Sequence, residues 1–270
     1  MNSRTLTRSK NPARGAVYLS DLDDVRLRVA HNCAAVYRSM ARGMGKPWRL
    51  WDDLRVCDLG LPVSLPPNSG HLLRPLDEDR VEDVLARLHG FFAANLGGGY
   101  ELWSIWPTSD LAAYGFERVP SPGMVRLAGG KAPPLPPELE VVEALDAATV
   151  REIDEVLIPG FDMPLRPEEL FDERMLGEPR YRMWLGRVEG RPVSTAAAYV
   201  SDGFVGVYAV ATTPEARRRG YGEAVTWAAT LCVPDLPATL QASDMGQPVY
   251  ERMGYRTVVE FTVWEKPTRA

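Results

Sequence analysis

Residues 207–222 read VYAVATTPEARRRGYG, and this stretch decides how the rest of the chain is interpreted. It begins with an apolar, β-branched run that is typical of a buried strand, and it continues through a polar loop to Gly220 and Gly222. The residues that follow, Tyr221–Cys232, repeat apolar side chains at the spacing of a helix with one buried face. The stretch therefore predicts a strand, a glycine-containing loop and a helix in direct succession.

This loop has the chemistry of an anion site. The first N–H groups of a helix lack partners within the helix, and the helix dipole places positive charge there. Two glycines let an anion approach the backbone, and Arg217, Arg218 and Arg219 add positive charge. A bound diphosphate is one interpretation; a solvated arginine-rich turn is the other. Other phosphate loops fit worse, because the third glycine of the dinucleotide fingerprint is missing and no GxxxxGK[ST] occurs.

The segments around the loop predict a mixed α/β fold. Short glycine-containing breaks separate three consecutive apolar segments, which predicts an antiparallel meander. The predicted strands are 54–58, 100–106, 124–127, 139–142, 181–188, 193–200, 204–211, 239–242 and 257–264, and the predicted helices are 21–42, 79–96, 147–157, 168–176, 221–232 and 248–253. Residues 129–137 are rich in glycine and proline, so we expect them to link two domains.

Composition narrows the class of protein. The chain has 270 residues, 45% of them hydrophobic, and a net charge of -5, which disfavours a nucleic-acid-binding protein. No apolar run approaches the roughly 18 to 20 residues that span a bilayer, so we expect no membrane insertion. Three cysteines without a CxxC pair suit a reducing, cytoplasmic compartment. The three histidines, His31, His71 and His89, all lie in the first half, so we expect no metal site.

Two motifs in this order resemble a known family. Arg217-x-x-Gly220-x-Gly222 is similar to the acyl-CoA-binding motif of the GNAT superfamily of N-acyltransferases, Arg/Gln-x-x-Gly-x-Gly/Ala. Residues 242–255 resemble that family's next block, in which a helix ends with Tyr-x-x-x-Gly-Phe/Tyr, here Tyr250 to Tyr255. The resemblance covers about residues 139–266.

The resemblance implies two GNAT-like domains in tandem, each a mostly antiparallel twisted sheet flanked by helices. Residues 138–270 would be the acyl-CoA-binding domain. Residues 21–128 would be a degenerate GNAT-like domain, because Tyr114-Gly115-Phe116 looks like the end of such a domain but no Arg-x-x-Gly-x-Gly precedes it. Residues 1–20 carry four basic residues and no acid, so we expect a flexible basic arm; a targeting segment that resembles a transit peptide is the alternative.

The resemblance also implies which residues bind acyl-CoA. Backbone N–H groups from Arg217 through Gly222, a segment that includes Arg218, Arg219, Gly220 and Tyr221, would hold the diphosphate. The main chain at Val210 and Thr212 would pair with the pantetheine arm, and the Ala211 N–H would polarise the thioester carbonyl. Ser243 lies where the family often has Asn, and its hydroxyl would cap the next helix or reach the same arm.

Two residues are candidates for catalysis. Tyr250 matches the family tyrosine that protonates the leaving thiolate, although a core tyrosine that anchors the helix is the alternative. A general base is harder to assign, since Phe204–Ala211 contains no acid or histidine. Asp162 is our candidate, because it lies where the family lines its acceptor pocket.

We therefore expect an N-acetyltransferase that transfers the acetyl group of acetyl-CoA to a primary amine of a small molecule or peptide by direct attack. A non-catalytic acyl-CoA-binding sensor or scaffold is the alternative function. We expect no nucleic-acid partner, no membrane partner and no metal, and a monomer or homodimer.

Overall fold

A computed structural model describes residues 21–62, 66–94, 99–166 and 170–267, so the predicted basic arm lies outside the described residues. The described helices are α1 (Leu22–Gly43), α2 (Val81–Ala94), α3 (Ala147–Gly160), α4 (Tyr221–Thr230) and α5 (Gln247–Arg252). The described strands are β1 (Trp48–Leu50), β2 (Leu54–Asp58), β3 (Asn68–Leu72), β4 (Tyr100–Ser104), β5 (Glu117–Arg126), β6 (Leu139–Glu143), β7 (Tyr181–Val188), β8 (Arg191–Ser201), β9 (Phe204–Thr212), β10 (Ala238–Gln241) and β11 (Arg256–Lys266).

These strands form one sheet that runs through both halves of the chain, in the order β1-β2-β3-β4-β11-β5-β10-β9-β8-β7-β6. The pairs β3/β4 and β9/β10 are parallel, and the other neighbours are antiparallel. The predicted mixed α/β fold, with a mostly antiparallel sheet flanked by helices, is confirmed.

The two halves exchange their last strands. The C-terminal strand β11 lies between β4 and β5, which belong to the N-terminal half. In turn, β5 lies between β11 and β10, which belong to the C-terminal half. In the sheet, the parallel pair of each half is therefore followed by the last strand of the other half: β3 and β4 by β11, and β9 and β10 by β5. The domain limits 21–128 and 138–270 stay a prediction, and the segment 129–137 between them contains no helix or strand.

Helices cover both faces of the sheet. On one face α1 and α3 enclose a core that draws residues from both halves, including Trp103, Phe261 and Tyr208. On the opposite face α2 packs on the N-terminal strands, and α4 and α5 pack on the C-terminal strands.

A buried asparagine joins α1 to the C-terminal half. The Asn32 side-chain amide donates to the Tyr199 carbonyl at 3.3 Å and to the Ser201 carbonyl at 3.1 Å, and its oxygen accepts from the Tyr208 hydroxyl at 2.5 Å. Because Asn32 is fully buried, losing these partners would leave unpaired polar groups in the core. Helix α1 therefore belongs to the packing of both halves.

One predicted helix is wrong. Residues 167–169 lie outside the described residues, and the rest of the predicted helix 168–176 is an irregular segment followed by a 3-10 turn, Glu173–Gly177. The buried Asp154 carboxylate accepts hydrogen bonds from the Leu170 and Phe171 amides. These tertiary bonds outweigh the apolar spacing that favoured a helix. The prediction also missed β1 and β3.

Candidate functional site

Strand β9 carries a bulge at Ala209 and Val210. In the pairing with β8, Tyr208 lies opposite Ala197 and Ala211 opposite Thr195, so two residues of β9 face one of β8. Ala209 has a φ of 50°, which an alanine rarely adopts. A bulge leaves main-chain groups unpaired and bends its strand. The regular pairing of β9 with β8 is therefore interrupted at Ala209 and Val210.

Beside the bulge, β9 and β10 separate. Their parallel pairing is confined to Ala238 with Val205 and Thr239 with Gly206. Beyond these pairs a cavity of about 320 Å³ opens, with residues 207–210 of β9 on one side and residues 240–243 on the other. Parallel strands that diverge in this way present main-chain donors and acceptors to an extended ligand.

Two prolines of β5 limit pairing on the other side of β10. The Pro122 carbonyl accepts from the Ala242 amide, so this position of β5 faces β10. Residues two apart in a strand face the same edge, so Pro120 faces that way as well and lines the cavity. Since proline has no N–H to donate, β5 offers no donor at these positions.

The glycine loop after β9 has the geometry expected of a helix-terminus anion site. Arg218 and Gly220 have φ angles of 63° and 82°, and α4 begins at Tyr221. The first intrahelical acceptor is the Gly220 carbonyl, bound by the Ala224 amide at 3.0 Å. The amides of the residues between them point out of the helix end, where an anion is stabilised.

The side chains of this loop are largely engaged in holding it. Arg217 donates to the Gly160 carbonyl at 2.9 Å and to the Thr212 carbonyl at 3.3 Å, which ties the loop to α3 and β9. A Cβ on Gly222 would lie 2.7 Å from the Thr212 hydroxyl oxygen. Gly222 therefore lets the start of α4 pack against the end of β9.

Tyr221 is held away from the loop surface. It is buried, and its hydroxyl donates to Glu138 at 2.6 Å. That bond, together with the Glu138 backbone and the positive charge of Arg219, lowers the pKa of the Glu138 carboxyl. Tyr221 thus fixes α4 against the segment that leads into β6, and its amide lies in the first turn of that helix.

Tyr250, on α5, is one of the residues that line the cavity. It is 9% exposed, and burial raises the pKa of its phenol to about 12. Ser243 lines the same cavity, and its hydroxyl oxygen accepts from the Gly246 amide at 3.2 Å. The structure thus places Tyr250 and Ser243 at the cavity lined by Val210, while Ala211 and Thr212 lie just beyond it on β9.

Asp162 is not brought to this site. It follows α3 with a φ of 51°, its side chain is exposed, and it does not line the cavity, although its neighbour Phe161 does. Sequence reasoning missed Glu101, a buried carboxyl of β4 that lines the cavity beside Trp103. The available signal was an acid within an apolar strand, two residues before a tryptophan.

None of the described helices is long and apolar enough to cross a membrane. No group of three or more histidine, cysteine or acidic side chains within the described ranges has the arrangement of a metal site.

Comparisons with known proteins agree with this geometry. The family model described as "Acetyltransferase (GNAT) domain" matches residues 152–265. A search of curated proteins found no significant match. Among solved structures, a GCN5-related N-acetyltransferase from Kribbella flavida is 20% identical, covers 87% of this chain and 95% of its own, and has a TM-score of 0.62.

Two further structures share the fold. A GCN5-related N-acetyltransferase from Sphaerobacter thermophilus is 14% identical, covers 95% of both chains and has a TM-score of 0.57. A tandem GNAT protein from the clavulanic acid biosynthesis pathway is 12% identical, covers 80% of this chain and 79% of its own, and has a TM-score of 0.52. Residues 152–265 therefore match the acetyltransferase (GNAT) domain model, and the chain as a whole shares the fold of these GNAT structures.

Proposed function

We propose that the protein transfers an acetyl group from acetyl-CoA to a primary amine of a small molecule or peptide by direct attack. One observation carries this proposal: the bulged, diverging strands and Tyr250 lie at one cavity, and the glycine-opened helix begins at the end of the same strand. The match of residues 152–265 to the GNAT domain model supports acyl transfer in general, and the cavity supports the finer assignment.

The residues present fit coenzyme A. The amides from Arg217 through Gly222 would hold the diphosphate, since they lie at the start of α4 with two left-handed residues among them. The pantetheine arm would enter between β9 and β10 and pair with the main chain at Val210 and with the Thr212 amide, since the Thr212 carbonyl already accepts from Arg217. A chain of amide groups suits this gap, because the gap is bordered by main-chain donors and acceptors.

The bulge is the place where the thioester carbonyl would be polarised. Ala211 pairs with Thr195, whereas Val210 lies within the bulge and lines the cavity. This geometry favours the Val210 amide over the Ala211 amide as the donor to the carbonyl oxygen. One donor in such a position lowers the activation barrier by on the order of 3 kcal/mol.

Transfer would be direct. The nitrogen of a neutral amine attacks the thioester carbon, the C–S bond breaks, and Tyr250 donates a proton to the departing sulfur. None of the three thiols lines the cavity, and burial raises the pKa of each, so no cysteine is placed to form an acyl-enzyme.

Incubation with acetyl-CoA and a panel of primary amines, with free thiol as the readout, tests the proposal. Amine-dependent thiol release with a matching acetylated amine is the expected result. Saturable binding of CoA by calorimetry with no thiol release across the panel would instead support the sensor or scaffold. Absence of CoA binding would overturn both.

A further inference from the structure

We infer that Glu101, supplied by the N-terminal half, binds the ammonium group of the acceptor and takes its proton, so that both halves build the acceptor site. This inference rests on the proposed function and deepens it in two ways. It assigns the missing base, and it defines the acceptor as an amine that arrives as a cation.

The position of Glu101 suits this role. The residue lies on β4 and is 8% exposed, and it lines the cavity whose other walls include the β9 bulge and Tyr250. The Trp103 indole N–H donates to its Oε2 at 2.6 Å, which fixes the orientation of the carboxyl. An amine bound between Glu101 and the bulge would have its nitrogen near both the base and the thioester carbon.

Glu101 differs from Asp53 and Glu178, two other buried carboxylates of this protein that are paired with arginines. Asp53 is bonded to Arg80 at 2.5 Å and Arg87 at 2.8 Å, and Glu178 to Arg42 at 2.7 Å. Within the described ranges, the hydrogen bond recorded for the Glu101 carboxyl comes from a neutral indole. A buried carboxylate without a cation is costly, and a substrate ammonium entering the cavity would supply the missing partner.

The surroundings of Glu101 set its proton affinity. Burial raises its pKa to about 8, the Trp103 bond lowers it, and the charge of Glu265, directly opposite on β11, raises it. From α1, Tyr37 and Cys33 face Glu101, and burial raises the pKa of both, so they remain neutral.

From β3, the titratable neighbour is His71, which stacks on Trp103 at 5.8 Å. Burial lowers its pKa to about 3, so it is neutral as well. With a pKa of about 8, the Glu101 carboxyl ionises as the pH rises above neutral, and a bound ammonium would stabilise the carboxylate that acts as the base.

The proton balance is complete. The Glu101 carboxylate takes one proton from the ammonium, and the neutral nitrogen then forms the C–N bond as the C–S bond breaks. Sulfur receives its proton from Tyr250, and the second proton lost by nitrogen restores that hydroxyl. The proton on Glu101 leaves to solvent. Because the amide product is neutral, Glu101 no longer attracts it, and the product can depart.

The test is the pH dependence of acetyl transfer between pH 5.5 and 9.5, with acetyl-CoA and the best amine of a panel of alkyl and aryl primary amines. We expect Glu101→Gln to lower kcat/KM for the amine at least about 100-fold. The Kd for CoA should stay within about twofold, which also shows that the variant folds. The acidic limb of the wild-type profile should disappear.

Three further variants separate the role of Glu101 from a structural effect. Glu265→Gln should shift the acidic limb to lower pH, because a neighbouring negative charge is lost, and Trp103→Phe should shift it to higher pH, because the indole donor is lost. Glu117→Gln, an exposed acid on β5 next to Glu265 in the register, should change nothing.

Two results would overturn the inference: Glu101→Gln with kcat/KM within threefold of the wild type, or an unchanged acidic limb in that variant. Failure of the proposed function is distinct, because the wild type would then release no thiol with any amine. In that case calorimetry of the same amines with the CoA complex decides. Binding that requires Glu101 supports the inference, and binding that is absent or independent of Glu101 overturns it.

Discussion

Replacing Tyr250 with phenylalanine separates catalysis from stability. Tyr250 lines the cavity, and within the described residues no protein group is hydrogen-bonded to its hydroxyl, so removal of that hydroxyl should change the free energy of unfolding by less than about 0.5 kcal/mol. If the hydroxyl is the acid, kcat should fall by about 10²- to 10⁴-fold, or roughly 3 to 5 kcal/mol in the barrier. Because burial raises its pKa to about 12, the phenol stays protonated from pH 6 to 9, and the loss should be constant over that range.

Tyr255→Phe is the matched control. Its hydroxyl shares a 2.7 Å hydrogen bond with buried Thr230, and its ring lies 6.1 Å from that of Tyr250. This variant should lose about 1 to 3 kcal/mol of stability, because the Thr230 hydroxyl is left unpaired, and keep its turnover. Steady-state thiol release, CoA calorimetry and urea denaturation measure the three quantities. A Tyr250→Phe enzyme with kcat within twofold of the wild type would show that Tyr250 only packs.

Three other predictions concern the loop, the buried acid and the strand exchange. Gly222→Ala should weaken CoA binding about tenfold in calorimetry, because its Cβ would lie 2.7 Å from the Thr212 hydroxyl, and adding Thr212→Ala should restore much of the affinity. Between pH 4.5 and pH 8 an unfolded Glu101 ionises while the folded one stays protonated, so the wild type should lose about 4 kcal/mol relative to Glu101→Gln as pH rises, as measured by urea denaturation. A protease site inserted into 129–137 should be cleaved without separating the halves in gel filtration; two separate peaks would contradict the exchanged strands.

Local patterns predicted much of the C-terminal half. The glycine loop, the helix after it and the strand Tyr181–Val188 follow from residues that are neighbours in sequence, so periodicity and turn chemistry suffice to place them. The bulge at Ala209 and Val210 was not predicted, because neither residue type signals a left-handed conformation. Its position depends on the register with β8, which no single segment contains.

Local sequence patterns did not predict that the two halves share one sheet. Residues 114–119 and 253–258 resemble each other, and each leads into a strand that ends its half. Similar strands can take either of two equivalent places in a sheet, so the pattern of a strand does not identify its partner. Glu101 was missed for the same reason, since its distance from the β9 bulge along the chain says nothing about the cavity that they share.

The strand exchange gives the N-terminal half a part in the site that does not depend on binding CoA. β5 supplies Pro120 and Pro122 beside β10, where they withhold donors and so limit pairing at the edge of the cavity. β4 pairs with β11, and its Glu101 lines the same cavity as the bulge of β9. The N-terminal half, which has no phosphate loop, can therefore still shape the gap between β9 and β10 and supply the base for the acceptor amine. On this argument, substitutions in β4 and β5 should alter amine kinetics before they alter CoA affinity.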